Sequence, residues 1–335
     1  MGLQSSGAIS LDDLHVEVGG TSGTTCSLND PDIRALIDVG SGDGQSIQQY
    51  YGKSSETSLP TSGSTVNGQV QLKQISASSY ISSGGTLRIP SNMWVWTDSR
   101  TTAALTIDIP CTVINDGKII GQGGRGGTYY GNLSPTSGGP AINVTSSGVT
   151  IVNSSGAYIA GGGGGGGKRQ DGGDPQDSNA GGGGGAGGGQ GGRGWISSHS
   201  GENAGTISGT GGALNARGNG SYHRQTNSLN SDNGGGAGGG GGGTQNSGGG
   251  GGRILPGSGG VYTTNFVWGT GGSAGNAGYG NNPTPGVSGH VIAGGGGGWG
   301  ASGGNGVQQT AAGGGAAITG TSRTLSNSGT IYGST

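Results

Sequence analysis

Gly161-Gly162-Gly163-Gly164-Gly165-Gly166-Gly167-Lys168-Arg169 is the stretch on which the fold turns. It contains one of five runs of at least five glycines, the others being 181–185, 238–243, 248–252 and 294–298. Of 91 glycines, 77 lie between residue 121 and the C-terminus. Ordering glycine costs more backbone entropy than ordering any other residue, about 1–2 kcal/mol per residue for the backbone alone. A flexible linker needs one such tract at most. Recurring tracts with polar, aromatic-bearing segments between them predict an ordered array held by backbone hydrogen bonds.

The composition bounds the alternatives. Hydrophobic residues make up 27%, charged 9% and aromatic 5%, too little apolar surface for an ordinary core in 335 residues. A net charge of −2 and the recurrence of the tracts argue against disorder. Collagen is excluded because the glycines keep no Gly-X-Y period and only 10 prolines are present. Lys and Arg form no basic cluster, so no nucleic-acid partner is expected. No run approaches the roughly 20 apolar residues of a membrane span. The first thirteen residues lack a charged n-region and an apolar h-region, so no secretory signal is expected. Cys26 and Cys111 are far apart in sequence and are expected as free thiols, with one disulfide as the alternative.

Residues 1–54 carry a repeated phrase. Ser10-Leu11-Asp12-Asp13-Leu14 is echoed by Ser27-Leu28-Asn29-Asp30 and by Ser46-Ile47-Gln48-Gln49-Tyr50. A Ser or Asp ahead of a short apolar stretch is an N-cap signal, which predicts two or three single-turn helices. A unit this small is marginal alone and reads as built to dock. The phrase Ile9-Ser10-Leu11-Asp12-Asp13 and the ending Tyr51-Gly52-Lys53-Ser54 resemble a short module of tailed-bacteriophage tail proteins.

Residues 55–68 read as a Ser/Thr/Gly linker. The segments 70–75, 94–97 and 104–109 alternate with period two and predict strands, with Pro90 and Pro110 at strand ends. Three stretches then share one pattern: Thr112-Val113-Ile114-Asn115-Asp116-Gly117-Lys118-Ile119-Ile120, Thr150-Ile151-Val152-Asn153-Ser154-Ser155-Gly156-Ala157-Tyr158-Ile159 and Thr324-Leu325-Ser326-Asn327-Ser328-Gly329-Thr330-Ile331-Tyr332. Each is strand, Asn, turn with Gly, strand. Asn and Gly are expected there for the left-handed backbone of a tight turn. Such units stack as hairpins or as solenoid rungs. The third predicts that the chain end returns to pair with the first two and clamps the glycine array.

Without a Cβ, chains in the extended three-per-turn helix can approach on every side. Their N–H and C=O groups point outward in three directions. Packed hexagonally, such helices satisfy one another, with Cα–H···O contacts added. The expected fold is a small N-terminal attachment module (1–58), a β-rich middle region (59–120) and a C-terminal sandwich of polyglycine II helices with protruding loops (121–335). Almost no α-helix is expected in that last part. Ala186, Gln190, Ala204, Ala237, Ser273, Ala274 and Asn276 interrupt the tracts and are expected to face outward.

Glycine-rich motifs alternating with variable loops over about 121–320 resemble the receptor-binding adhesins at the tip of T-even-type phage long tail fibres. The resemblance implies a polyglycine II sandwich whose distal loops bind a bacterial receptor and determine host range. The receptor would be an outer-membrane protein or a surface glycan such as lipopolysaccharide. It also implies a virion component at the tail tip, assembled in the host cytoplasm and docked on another tail protein through residues 1–54. Monomer and homotrimer both stay open. A non-viral structural or ice-binding polyglycine protein is the alternative.

The long loops 128–137, 168–180, 213–233, 253–268 and 281–292 hold the candidate receptor contacts. These are Tyr129, Tyr130, Lys168, Arg169, Tyr222, His223, Arg224, Tyr262, Phe266 and Trp268. Tyr, Arg and Trp on supported loops make good recognition anchors. Trp195 and Trp299 abut tracts and read as shields of the array. Asp171, Asp174 and Asp177 read as a solvated loop rather than a calcium site. The four His show no metal spacing, and neither metal nor cofactor is expected. The run 162–169 mimics a phosphate loop, but Arg169 stands where Ser or Thr is needed. No catalytic carboxylate pair or Ser/His/Asp set is present, so no enzyme is expected.

Overall fold

The computed structural model describes residues 3–37, 39–53, 55–61, 65–66, 69–128, 133–168, 182, 184–189, 191–192, 272–273, 275–278, 293–306, 309–320 and 322–335.

The Ser-led phrases become three short helical turns. Helix α1 (Leu11–Glu17) and helix α2 (Pro31–Ala35) are followed by a 3₁₀ turn at Ile47–Tyr50. One hydrogen bond recurs in all three. The Ser N–H donates to the side chain three residues on: Ser10 to Asp13 Oδ2 at 2.7 Å, Ser27 to Asp30 Oδ2 at 2.8 Å and Ser46 to Gln49 Oε1 at 2.7 Å. At Ser10 and Ser46 this closes a reciprocal capping box. The Ser10 N–H also holds the Asp13 carboxyl below its usual range. Each turn then contributes one fully buried side chain, Leu14, Ile33 and Tyr50, to a separate small core. At about 2 kcal/mol for each buried side chain, that core holds the module together.

The remaining described strands wind one coil. In chain order they are β1 (Glu56–Ser58), β2 (Thr65–Val66), β3 (Gln69–Lys73), β4 (Ile75–Ser76) and β5 (Thr86–Ile89). Then come β6 (Met93–Trp96), β7 (Leu105–Ile107), β8 (Thr112–Asn115), β9 (Lys118–Ile120) and β10 (Ile142–Val144). The last are β11 (Val149–Asn153), β12 (Tyr158–Ala160), β13 (Ile318–Gly320), β14 (Arg323–Asn327) and β15 (Thr330–Tyr332). The first sheet is β1-β5-β8-β11-β14, the second β2-β3-β6-β9-β12-β15 and the third β4-β7-β10-β13. From β3 onward the chain visits second, third and first sheet in strict rotation, and all those pairings are parallel. The repeated units are therefore solenoid rungs, not hairpins.

Inward side chains stack in columns between rungs. Leu87, Val113 and Ile151 align on the first sheet, Val95, Ile119 and Ile159 on the second, and Leu105, Ile142 and Ile318 on the third. Branched aliphatics suit this pleated, one-face-buried surface. The C-terminal strands β14 and β15 pair with β11 and β12, so the chain end returns as its repeat predicts.

Three expectations are corrected. Glu56–Ser58 is not linker: it pairs with β5, and Leu59 is 1% exposed in the core. Arg88 fixes it there by donating to Glu56 Oε1 at 2.5 Å and Oε2 at 3.0 Å and by pairing with Asp116. Next, the same three sheets run past residue 120, where composition predicts a boundary, because β10–β15 extend them. Last, the repeated Asn is not there for a left-handed turn. Asn115 and Asn153 are fully buried and form a ladder: Asn115 Nδ2 donates to Asn153 Oδ1 and Asn153 Nδ2 to Asn327 Oδ1, both at 2.8 Å. The following Gly117 is required by close approach, since a Cβ there would collide with the carbonyls of Pro90 and Met93.

Cys26 and Cys111 are both free thiols. Among the described residues no helix is long and apolar enough to cross a membrane.

Candidate receptor-binding platform

The glycine segments leave the solenoid at one corner, between second and third sheet. That corner is 97–104 after β6, 121–141 after β9 and 161–317 after β12. Strands β9 and β12 are parallel neighbours in register, Ile120 beside Ala160, and each runs straight into glycine. The pairing continues with a changed step. Gly121 N–H donates to Ala160 O at 2.8 Å, Gly124 to Gly163 O at 2.7 Å and Gly127 to Gly166 O at 2.8 Å. A partner every third residue replaces the two-residue pattern of a sheet.

Segment 161–167 sits at the centre of six others. Its N–H groups go three ways: Gly162 to Gly139 O (2.9 Å) and Gly165 to Thr136 O (3.1 Å), Gly163 to Ala186 O (2.8 Å), and Gly164 to Ala301 O and Gly167 to Gly304 O (both 2.9 Å). Its carbonyls accept from three more directions: from Gly124 and Gly127, from Gly300, Gly297 and Gly294 (2.8 Å each), and from Gly315 (2.7 Å) and Ala312 (3.0 Å). None of these seven glycines adopts positive φ, so they are not needed for left-handed backbone. They are needed for space: a Cβ on any of them would run into a neighbouring backbone carbonyl, Gly315 O at Gly161, Gln122 O at Gly162 and Ala312 O at Gly164 for example.

An aromatic seam joins this block to the second sheet. Trp299 is 3% exposed and lies 6.0 Å from Tyr158, 5.7 Å from Tyr332 and 6.4 Å from Trp94, between ring centroids. Lys118 Nζ stands over Trp94 at 5.3 Å and over Tyr158 at 5.7 Å, and burial lowers its pKa. Ala186 belongs to the same cluster and is fully buried, so it does not face outward as expected. The reason is local: at the seam it joins the apolar cluster of Trp94, Ile120, Ala160 and Trp299, where a methyl group is buried. Ser273 and Asn276 are exposed, as expected. Gln190, Ala204, Ala237, Ala274 and Trp195 lie outside the described residues.

The end of the block away from the sheets gathers the flanks of the loops. Thr128 and Leu133 form an antiparallel bridge with bonds of 2.8 and 3.0 Å. Lys168 N–H donates to Gln309 Oε1 at 3.1 Å, Gly182 N–H to Gly127 O at 3.0 Å, Gly294 N–H to Gly167 O at 2.8 Å and Gly306 N–H to Gln309 O at 2.9 Å. Thr128, Leu133, Lys168, Gly182, Gly294, Gly306 and Gln309 thus gather at this end of the block.

Of the ten candidate contact residues, Lys168 alone is described. It is 3% exposed, and burial lowers its amine pKa, so it lies beneath the surface of the block end. Tyr129, Tyr130, Arg169, Tyr222, His223, Arg224, Tyr262, Phe266 and Trp268 lie outside the described residues, as do Asp171, Asp174 and Asp177. Among the described residues no group of His, Cys, Asp and Glu could hold a metal ion. What sequence reasoning missed is the seam. Its signal was Tyr158, in the strand that runs into Gly161, and Trp299, directly after the run 294–298.

Residues 56–238 match the sequence model of the family described as phage tail fibre adhesin Gp38. No curated protein sequence matches the chain. A solved structure, the gp37-gp38 adhesin tip complex of the bacteriophage S16 long tail fiber, contains a chain 19% identical over 90% of each chain, with a TM-score of 0.44. The matched span holds most of the solenoid, the central glycine segment and its first loops, and this chain belongs to the Gp38 family of phage tail fibre adhesins, host-receptor-binding components of the virion tail.

Proposed function

We propose that the glycine segments form a polyglycine II lattice that carries the loops at its far end, and that those loops bind the bacterial receptor and determine host range. The observation that carries this reading is the hydrogen bonding of 161–167 to six neighbours, with the three-residue step of such a helix. A lattice satisfied in every direction is a rigid base, and recognition residues on a rigid base lose less entropy on binding. The receptor is an outer-membrane protein or a surface glycan. Residues 1–54 dock on another tail fibre protein. Their separate core and their capped single turns support a discrete attachment unit. The reading is tested by exchanging 213–233 and 253–268 for the corresponding loops of a relative with another host. Host range is expected to follow the loops; adsorption that stays with the original host after both exchanges overturns it.

A further inference from the structure

Two guanidinium groups sit on one flank of the glycine block, and neither has an acidic partner among the described residues. Arg100 lies exposed in the 97–104 corner. Its backbone presses on Gly139, where a Cβ would stand 2.8 Å from Arg100 Cα. Gly139 N–H donates to Gln122 O at 2.7 Å, and one three-residue step outward Thr136 N–H donates to Arg125 O at 2.9 Å. Arg125 therefore rises roughly 9 Å further along the same flank, a span that two arginine side chains can close. The acid nearest Arg100 in sequence, Asp98, is engaged by Lys73.

Arg125 is only half-exposed, and burial, with the Arg100 charge adding to it, lowers its pKa. Its Nη2 donates to Ser134 O at 3.1 Å, but its Nε is buried and makes no hydrogen bond. A buried donor on a charged group left unpaired is destabilising, and two like charges gathered without a counter-charge add to that. An oxyanion relieves both, because guanidinium groups bind phosphate and carboxylate through paired N–H donors. Beside Arg125, Leu133 is 46% exposed, and Ser134 and Thr136 of the same edge hydrogen-bond to that arginine. A sugar ring takes that combination of apolar face and carbonyl rim.

We infer that Arg100 and Arg125 form a subsite for an acidic group, phosphate or carboxylate, on a bacterial surface glycan. The inference rests on the receptor-binding reading above but does not depend on which loops carry host range.

The test uses the full chain and lipopolysaccharide from a susceptible host, immobilised in three forms: intact, dephosphorylated and carboxyl-reduced. Arg100→Gln is the main variant because that side chain is exposed; Arg125→Gln is the second, read only after its thermal melt matches the parent. The parent protein is expected to bind intact lipopolysaccharide about tenfold more tightly than either variant, the scale of one charge-assisted contact. Inorganic phosphate is expected to compete with the parent but not with Arg100→Gln. Loss of parent binding on dephosphorylation assigns the subsite to phosphate, and loss on carboxyl reduction assigns it to carboxylate. Equal binding of parent and Arg100→Gln to all three forms overturns the inference, as does absence of any lipopolysaccharide binding by a parent protein that still adsorbs to cells. Failure of the receptor-binding reading shows differently, as a parent protein that does not adsorb to susceptible cells.

Discussion

Gly121 N–H donates to Ala160 O at 2.8 Å, and that single bond ends a parallel β-pair and begins a glycine lattice. The solenoid thereby sets where each glycine segment starts and in which register it meets its neighbour. Everything further out inherits that register, in steps of three.

Close approach at the lattice centre predicts a large penalty for the smallest side chain. Gly164→Ala puts a methyl against the Ala312 carbonyl. The backbone must shift, at about 3 kcal/mol, the upper end of the usual cost of overpacking. Ser273→Ala, at an exposed position on the same block, is expected to stay within about 0.5 kcal/mol. Denaturant unfolding of both variants checks the contrast.

The Asn ladder predicts a different kind of loss. Asn153→Ala removes the acceptor for Asn115 and the donor to Asn327 in one change. Two side-chain hydrogen bonds go, and the fully buried Asn115 Nδ2 keeps only its 3.2 Å bond to Tyr158 O, an expected loss of about 2 kcal/mol. Thermal unfolding followed by the far-ultraviolet signal of the sheets measures it.

Trp299 is predicted to hold the block to the solenoid. Truncation to Ala removes a buried ring from contact with Trp94, Tyr158 and Tyr332. The expected cost is about 3–5 kcal/mol. Limited proteolysis should then cut the glycine segments while the β3–β9 coil survives.

Cys111 predicts an alkaline limit. Burial, with the Asp108 charge adding to it, raises its thiol pKa to about 11 from 9.0. A raised folded pKa means that the neutral thiol's contribution is complete below pH 9.0 and is lost as pH rises through about 11. Stability should therefore be flat up to pH 9.0 and fall above it, and Cys111→Val should remove part of that fall. Unfolding midpoints between pH 8 and about 11 check the sign.

Much of this architecture was legible in the chain because it is written in residue type. The runs of glycine announced backbone-to-backbone packing, and the thrice-repeated Asn unit announced the return of the C-terminus. The solenoid itself was harder to read. Its third sheet is built of strands such as Ile75–Ser76 and Ile142–Val144, too short for any period to show, and the excursion 161–317 separates β12 from β13. The reason for Asn153 was also hidden, since a ladder exists only once rungs are stacked. Ala186 was misread because composition treats every interruption of a glycine run alike, while its packing depends on the rings of Trp94 and Trp299. Lys168 looked like a loop cation from its place after the longest run; its burial follows from Gln309, which is remote in sequence.

Amide hydrogen exchange across 161–167 tests the central claim most directly. Six of these seven N–H groups donate to a different chain segment: Gly162, Gly163, Gly164, Gly165 and Gly167 to lattice neighbours and Gly161 to Tyr332 O. They should therefore exchange as slowly as the β11 amides. Exchange at the rate of an unstructured glycine peptide, with the β11 amides still protected, would contradict the account.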